Sequence, residues 1–100
     1  MAVYDPGALD AALAAAVGDD PTLVAELRSA FMDSAAAHID AMSNARNPAD
    51  WQAAAYRLKG LAASFGATRL MDVAEQAATA PAGDAEAIRT ATRAISRFGN

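Results

Sequence analysis

The chain of 100 residues contains no cysteine and only one histidine, His38. Without thiols it forms no disulfide and no cysteine-ligated zinc site, two common means of stabilising a small domain. Histidine is the side chain that most often transfers protons in enzymes, and one copy among scattered carboxylates leaves most catalytic classes without their groups. We therefore expect no metal ion, no cofactor and no independent active site.

Positive charge is also scarce, since 8 Lys and Arg residues stand against 12 Asp and Glu residues and the formal net charge is −4. Proteins that bind nucleic acid backbones present a positively charged face, so we expect no nucleic acid partner. No apolar run approaches the roughly 18 residues of a membrane helix, and the first residues lack the pattern of a secretory signal. We expect a cytoplasmic protein with no membrane segment.

Alanine is the abundant residue, with 30 copies, so it supplies more than half of the 54% of the chain that is hydrophobic. It has the highest helix propensity of all residues and is depleted in strands. Because large apolar side chains are few, the core must depend on closely approaching backbones. The composition predicts a single all-α domain over residues 1–100.

Apolar residues recur at intervals of three and four in five segments, each bounded by helix-capping residues, glycine or proline. Asp20-Pro21 and Asn47-Pro48 are typical helix starts, because the first residue caps the helix and proline suits its first turn. Gly66 is typical of a helix end. The sequence predicts a short helix over residues 6–17 and bundle helices over 21–45, 48–65, 68–79 and 85–98.

The connections between these predicted helices are only a few residues long, so successive helices must run antiparallel. The predicted architecture is an antiparallel up-and-down four-helix bundle, with the short N-terminal helix lying across one end. The inward stripe of the helix over 21–45 is predicted to consist of Val24, Leu27, Phe31, Ala35, His38 and Met42.

The helix predicted over residues 48–65 has an unusual outward face. At about 100° per residue, Tyr56 points away from the apolar stripe that contains Trp51 and Leu58. Gly60 follows one turn later, where glycine costs about 1 kcal/mol relative to alanine and no internal contact requires it. Two interpretations remain open: a partner approaches closely beside Tyr56, or Tyr56 is an ordinary surface aromatic residue and Gly60 is merely tolerated.

Residues 54–67, AAYRLKGLAASFGA, resemble the signature of histidine-containing phosphotransfer (HPt) domains of bacterial phosphorelays. That signature reads roughly A-H-x-L-K-G, then small residues, a hydrophobic residue, G-A and a leucine, and Leu70 matches the last position. The resemblance extends over roughly residues 20–98. It implies a four-helix bundle in which the histidine of the motif accepts a phosphoryl group from the aspartyl phosphate of one receiver domain and passes it to another.

By this resemblance, Tyr56 occupies the place of the phosphoacceptor histidine. Lys59 would attract and steady the phosphoryl group, and Gly60 would let the receiver approach. Three further residues would flank the contact: Gln52, Arg57 and Ala63. The implied partners are the receiver domain of a hybrid sensor histidine kinase and a response regulator, with the chain acting as a monomer and magnesium belonging to the receiver.

Tyrosine at position 56 is the main departure from the family pattern. A phenol with an ordinary pKa of about 10 is almost wholly protonated at neutral pH and is a poor nucleophile without a base. We therefore expect docking to be kept and transfer to be lost. A milder departure is Ala77-Ala78, where the family often has leucine and glutamate.

Three interpretations of the tyrosine follow. Tyr56 is a substitution in a relay protein whose working form has histidine there, or it is the native residue of an adaptor or inhibitor that binds receivers or kinases without transfer. The third is an unrelated helical bundle in which the motif is a coincidence. His38 lies on a different predicted helix and lacks the surrounding motif, so it is not a displaced acceptor.

Overall fold

The computed structural model describes Gly18 and residues 20–97. This part of the chain contains four α-helices and no strand: α1 (Pro21–Ser43), α2 (Pro48–Ser64), α3 (Thr68–Thr79) and α4 (Ala85–Ser96). The all-α prediction is confirmed. All four starts agree with the sequence prediction, whereas α1, α2 and α4 end one or two residues earlier than predicted. The helix predicted over residues 6–17 lies outside the described residues.

Three of the four helices begin at a side chain that satisfies backbone N–H groups of the first turn. Asp20 accepts hydrogen bonds from the backbone N–H groups of Thr22 at 2.9 Å and Leu23 at 3.3 Å. Asn47 accepts one from the backbone of Asp50 at 2.8 Å, and Asp84 caps α4. These caps explain why the starts could be predicted, because the capping residue fixes the first turn.

The end of α2 is fixed by Gly66, whose φ of 66° lies in the left-handed region that favours glycine. Its N–H group donates to the carbonyl of Ala63, and the N–H group of Ala67 donates to the carbonyl of Ala62 at 2.9 Å. This pair of hydrogen bonds is a Schellman motif, which closes the helix and reverses the chain. As a result α3 runs back along α2.

The helices pack in a ring, with contacts between α1 and α2, α2 and α3, α3 and α4, and α4 and α1. No contact joins the diagonal pairs within the described range. Because the connections are short, the neighbours run antiparallel. The described residues therefore form the predicted up-and-down bundle, in which α2 lies between α1 and α3.

The core depends on small side chains, as the composition predicted. Ten of the eighteen buried hydrophobic residues in the described range are alanine. Larger side chains fill the remaining space: the rings of Phe31 and Phe65 meet edge to face with centroids 4.9 Å apart. The Nε1–H group of the fully buried Trp51 donates to the carbonyl of Ala77 at 2.8 Å, which joins α2 to α3.

The predicted inward stripe of α1 is partly wrong. Phe31, Ala35 and Met42 are buried as expected, but the residue buried between them is Ile39 rather than His38. His38 is only half-buried. The two positions are adjacent on the helix, and the apolar side chain takes the inner one because burying an imidazole would require a hydrogen-bond partner.

Candidate functional site

The outward face of α2 carries the candidate site around Tyr56. The side chain of Tyr56 is 55% exposed, and Tyr56 is the only exposed aromatic residue among those that the structure describes. Its orientation toward solvent agrees with the helical periodicity. Its hydroxyl group has no hydrogen-bond partner within the described residues, so the ring is available for contact with another molecule.

Gly60 lies one helical turn after Tyr56 and is exposed in the middle of α2. A Cβ atom built at this position would have no neighbour within 4 Å, so the fold itself does not require glycine there. The Oγ–H group of Ser64 donates to the carbonyl of Gly60 at 3.0 Å. The surface beside Tyr56 is therefore open down to the backbone of the helix.

Lys59 differs from the sequence expectation, because it already has an ionic partner. Its Nζ atom lies 2.5 Å from Oε1 of Glu75 on α3, and the side chains are 35% and 61% exposed. The hydrogen bond to Glu75, followed by the attraction between the two charges, raises the pKa of Lys59, with smaller contributions from Tyr56 and Asp72. The same contact lowers the pKa of Glu75. An arriving anion would have to compete with this carboxylate.

The residues expected to flank the contact are all exposed on α2. Gln52 and Ala63 lie one turn before and about two turns after Tyr56, on the same face of the helix. Arg57 is also exposed but is rotated by about 100° from Tyr56 around the helix axis. We call the strip formed by Gln52, Tyr56, Lys59, Gly60 and Ala63 the Tyr56 surface.

The Tyr56 surface is formed by the outward side of one helix, α2. Within the described residues, no cluster of acidic or histidine side chains could hold a metal ion. Ser34 and His38 lie four residues apart on α1, but no hydrogen bond joins their side chains. They therefore do not form a serine nucleophile activated by a histidine base. A groove of about 350 Å³ between α1 and α4 is lined by Met32 and Ile88 but by no residue of the Tyr56 surface.

The ion pair between Glu75 and Lys59 was not predicted from the sequence. Glu75 follows Lys59 by 16 residues, across the turn at Gly66. A signal for it exists, because two antiparallel helices joined at a known turn bring together residues at similar distances from that turn. Lys59 precedes Gly66 by seven residues and Glu75 follows it by nine, which places both at the same level of the bundle.

Comparison with known proteins identifies the family to which the chain belongs. The family model of the Hpt domain matches residues 26–98, which is most of the chain. The chain belongs to the Hpt domain family. Members of this family act in histidine phosphotransfer in phosphorelays, together with receiver domains. No curated protein and no solved structure shows a significant match. Among the described helices, none has the length and apolar character needed to cross a membrane.

Proposed function

We propose that this chain docks receiver domains of a phosphorelay through the Tyr56 surface and that Tyr56 stands at the place of the phosphoacceptor histidine. The observation that carries the proposal is an exposed aromatic side chain at the motif position, followed one turn later by an exposed glycine. The partners would be the receiver of a hybrid sensor histidine kinase and a response regulator, and the chain would act as a cytoplasmic monomer.

Docking would depend on shape more than on charge. Gly60 and Ala63 leave room for loops of the receiver to approach the backbone of α2 beside the ring of Tyr56. Lys59 is half-buried and already paired with Glu75, so its charge adds little to the affinity. Apolar and aromatic contacts at the centre of an interface usually supply most of the binding energy, and Tyr56 is placed to make such a contact.

Transfer would fail at the chemical step. A neutral imidazole attacks the phosphorus atom with its ring lone pair, breaks the bond to the aspartyl oxygen and forms a labile bond between nitrogen and phosphorus. The phenol of Tyr56 must lose its proton to attack, and no base within the described residues accepts a hydrogen bond from it. A phosphotyrosine ester, once formed, would be too stable to pass on. The proposed activity is therefore binding without relay.

Two explanations of the tyrosine at position 56 are compatible with this proposal. If Tyr56 is a substitution for histidine, the surrounding residues, which include Lys59 and Gly60, are those of a working relay protein. If Tyr56 is native, the chain is an adaptor or inhibitor that occupies receivers or kinases. The retained open surface at Gly60 fits both, because both require docking.

A phosphotransfer assay separates them. The chain and its Tyr56→His variant are each mixed with a panel of receiver domains from the source organism that have been charged with radiolabelled acetyl phosphate. Label that moves only to the histidine variant indicates a substituted relay protein. Equal receiver binding without transfer in either form indicates an adaptor. Absence of receiver binding by both forms would contradict the proposal, and a Tyr56→Phe variant controls for the hydroxyl group.

A further inference from the structure

The ion pair between Lys59 and Glu75 determines which charge the Tyr56 surface presents on the side of α3. Lys59 is the only charged residue of this surface, and its Nζ atom lies 2.5 Å from Oε1 of Glu75. Asp72 lies one turn before Glu75 on α3, and its charge also acts on Lys59. One ammonium group therefore faces two carboxylates, and the charge on this side is negative rather than positive.

Lys59 also lies within electrostatic reach of Tyr56. Glu75 raises the pKa of Lys59 most, and Tyr56 raises it further. The ammonium group and the phenol are therefore close enough to interact. A phosphoryl group on a receiver docked over Tyr56 would arrive beside Lys59. It would meet a lysine that already donates a hydrogen bond to a carboxylate.

We propose that Glu75 is a positioning residue that holds the ammonium group of Lys59 against α3 and thereby lowers the preference of the Tyr56 surface for phosphorylated over unphosphorylated receivers. This role rests on the proposed function, because a phosphoryl group would reach Lys59 only when a receiver docks there. A cation that is free to turn toward a doubly negative group strengthens its binding, whereas a carboxylate bound to that cation offsets the gain. The chain would then stay bound to a receiver before and after the phosphoryl group is lost.

The accessibility of the pair to water limits the size of this effect. The side chains of Lys59 and Glu75 are 35% and 61% exposed, and salt screens the attraction between exposed charges. Ion pairs of this kind change an equilibrium constant by at most about fivefold. Removal of the Glu75 carboxylate should therefore raise the preference for a phosphorylated receiver by about two- to fivefold.

The test measures the affinity of the full chain for each receiver of the panel, with and without beryllium fluoride, a stable mimic of the aspartyl phosphate. The ratio of the two dissociation constants cancels any general loss of docking. In Glu75→Gln we expect this ratio to move about two- to fivefold in favour of the beryllium fluoride form. In the double variant with Lys59→Gln we expect no such gain over Lys59→Gln alone, because Glu75 acts through Lys59.

Control variants and a second measurement make the test specific. Glu75→Asp keeps the carboxylate and should retain most of the original ratio. Asp40→Asn removes one negative charge at the groove between α1 and α4 and should leave the ratio unchanged. Nuclear magnetic resonance of the Lys59 ammonium group should show that its pKa falls toward the ordinary value in Glu75→Gln. Thermal unfolding of each variant confirms that it folds.

Three results would overturn the proposal while the proposed function stands. The first is an unchanged ratio in Glu75→Gln although receivers still bind. The second is a gain that persists in the Lys59→Gln background, which would mean that Glu75 repels the phosphoryl group directly. The third is an equal gain in Asp40→Asn, which would mean that net charge controls the preference. Absence of binding by every receiver would instead contradict the proposed function, and this proposal with it.

Discussion

Replacement of Gly60 by alanine should stabilise the fold and weaken docking at the same time. Gly60 is an exposed residue within α2, and a Cβ atom there meets nothing within 4 Å. The substitution therefore gains helix propensity without a steric penalty, and the free energy of unfolding should rise by about 0.5–1 kcal/mol. For a domain of this size, that gain corresponds to an increase in melting temperature of about 2–8 °C.

Thermal and urea unfolding measure the first effect, and titration with a receiver domain measures the second. The matched control is Ala37→Gly, the opposite change at an exposed position of α1, which should lower stability by a similar amount and leave docking intact. Gly60→Gln should abolish docking while the bundle stays folded. An unchanged or lower stability of Gly60→Ala would refute the open space described at this position. A stabilised variant with unaltered receiver binding would refute the proposed contact.

Three further predictions concern the bundle and the ion pair. Trp51→Phe should lower the free energy of unfolding by about 1–3 kcal/mol in urea denaturation, because it removes the Nε1–H hydrogen bond to the carbonyl of Ala77 and puts a smaller ring in a fully buried site. The backbone N–H of Ala80 still donates to that carbonyl. Asp20→Ala should lower it by about 0.5–2 kcal/mol, because the cap of α1 is lost. The pKa of Glu75 lies below its usual 4.5 and that of Lys59 above its usual 10.5. The stabilisation by this pair should therefore persist between these values and disappear as the pH falls through the lowered pKa of Glu75, or rises through the raised pKa of Lys59.

Each of these predictions has a result that contradicts it. Trp51→Phe with the stability of the original chain would mean that the hydrogen bond to Ala77 contributes nothing. Asp20→Asn, which keeps a capping oxygen, serves as the control for Asp20→Ala, and equal losses in both would argue against the cap. For the ion pair, the measured quantity is the difference in stability between the chain and Glu75→Gln across pH. A difference that persists in strong acid would show that Glu75 does not act through its charge.

The helix starts could be predicted because their determinants are local. Asp20-Pro21 and Asn47-Pro48 contain both the capping side chain and the residue that suits the first turn, and Gly66 supplies the left-handed conformation that ends α2. The ends of α1 and α4 are less well determined, since no comparable residue among those described stops them, and the predictions there extend two residues too far. The exposure of Tyr56 followed from periodicity alone.

The part of the candidate site that escaped prediction depends on packing between helices. The position of Lys59 on the helix surface could be predicted, but its pairing with Glu75 depends on the alignment of α2 against α3. Periodicity gives the direction of a side chain from its own helix. It does not give the level at which a neighbouring helix presents a partner.

The most direct test of the central claim is the footprint of a receiver domain on the chain in solution. Isotope-labelled protein is titrated with the receiver that binds it, and the backbone amide signals are followed. The account predicts that the largest changes cluster at Gln52, Tyr56, Gly60 and Ala63, and that they weaken in Gly60→Gln. Changes confined to the groove between α1 and α4, with the signals around Tyr56 unmoved, would contradict it.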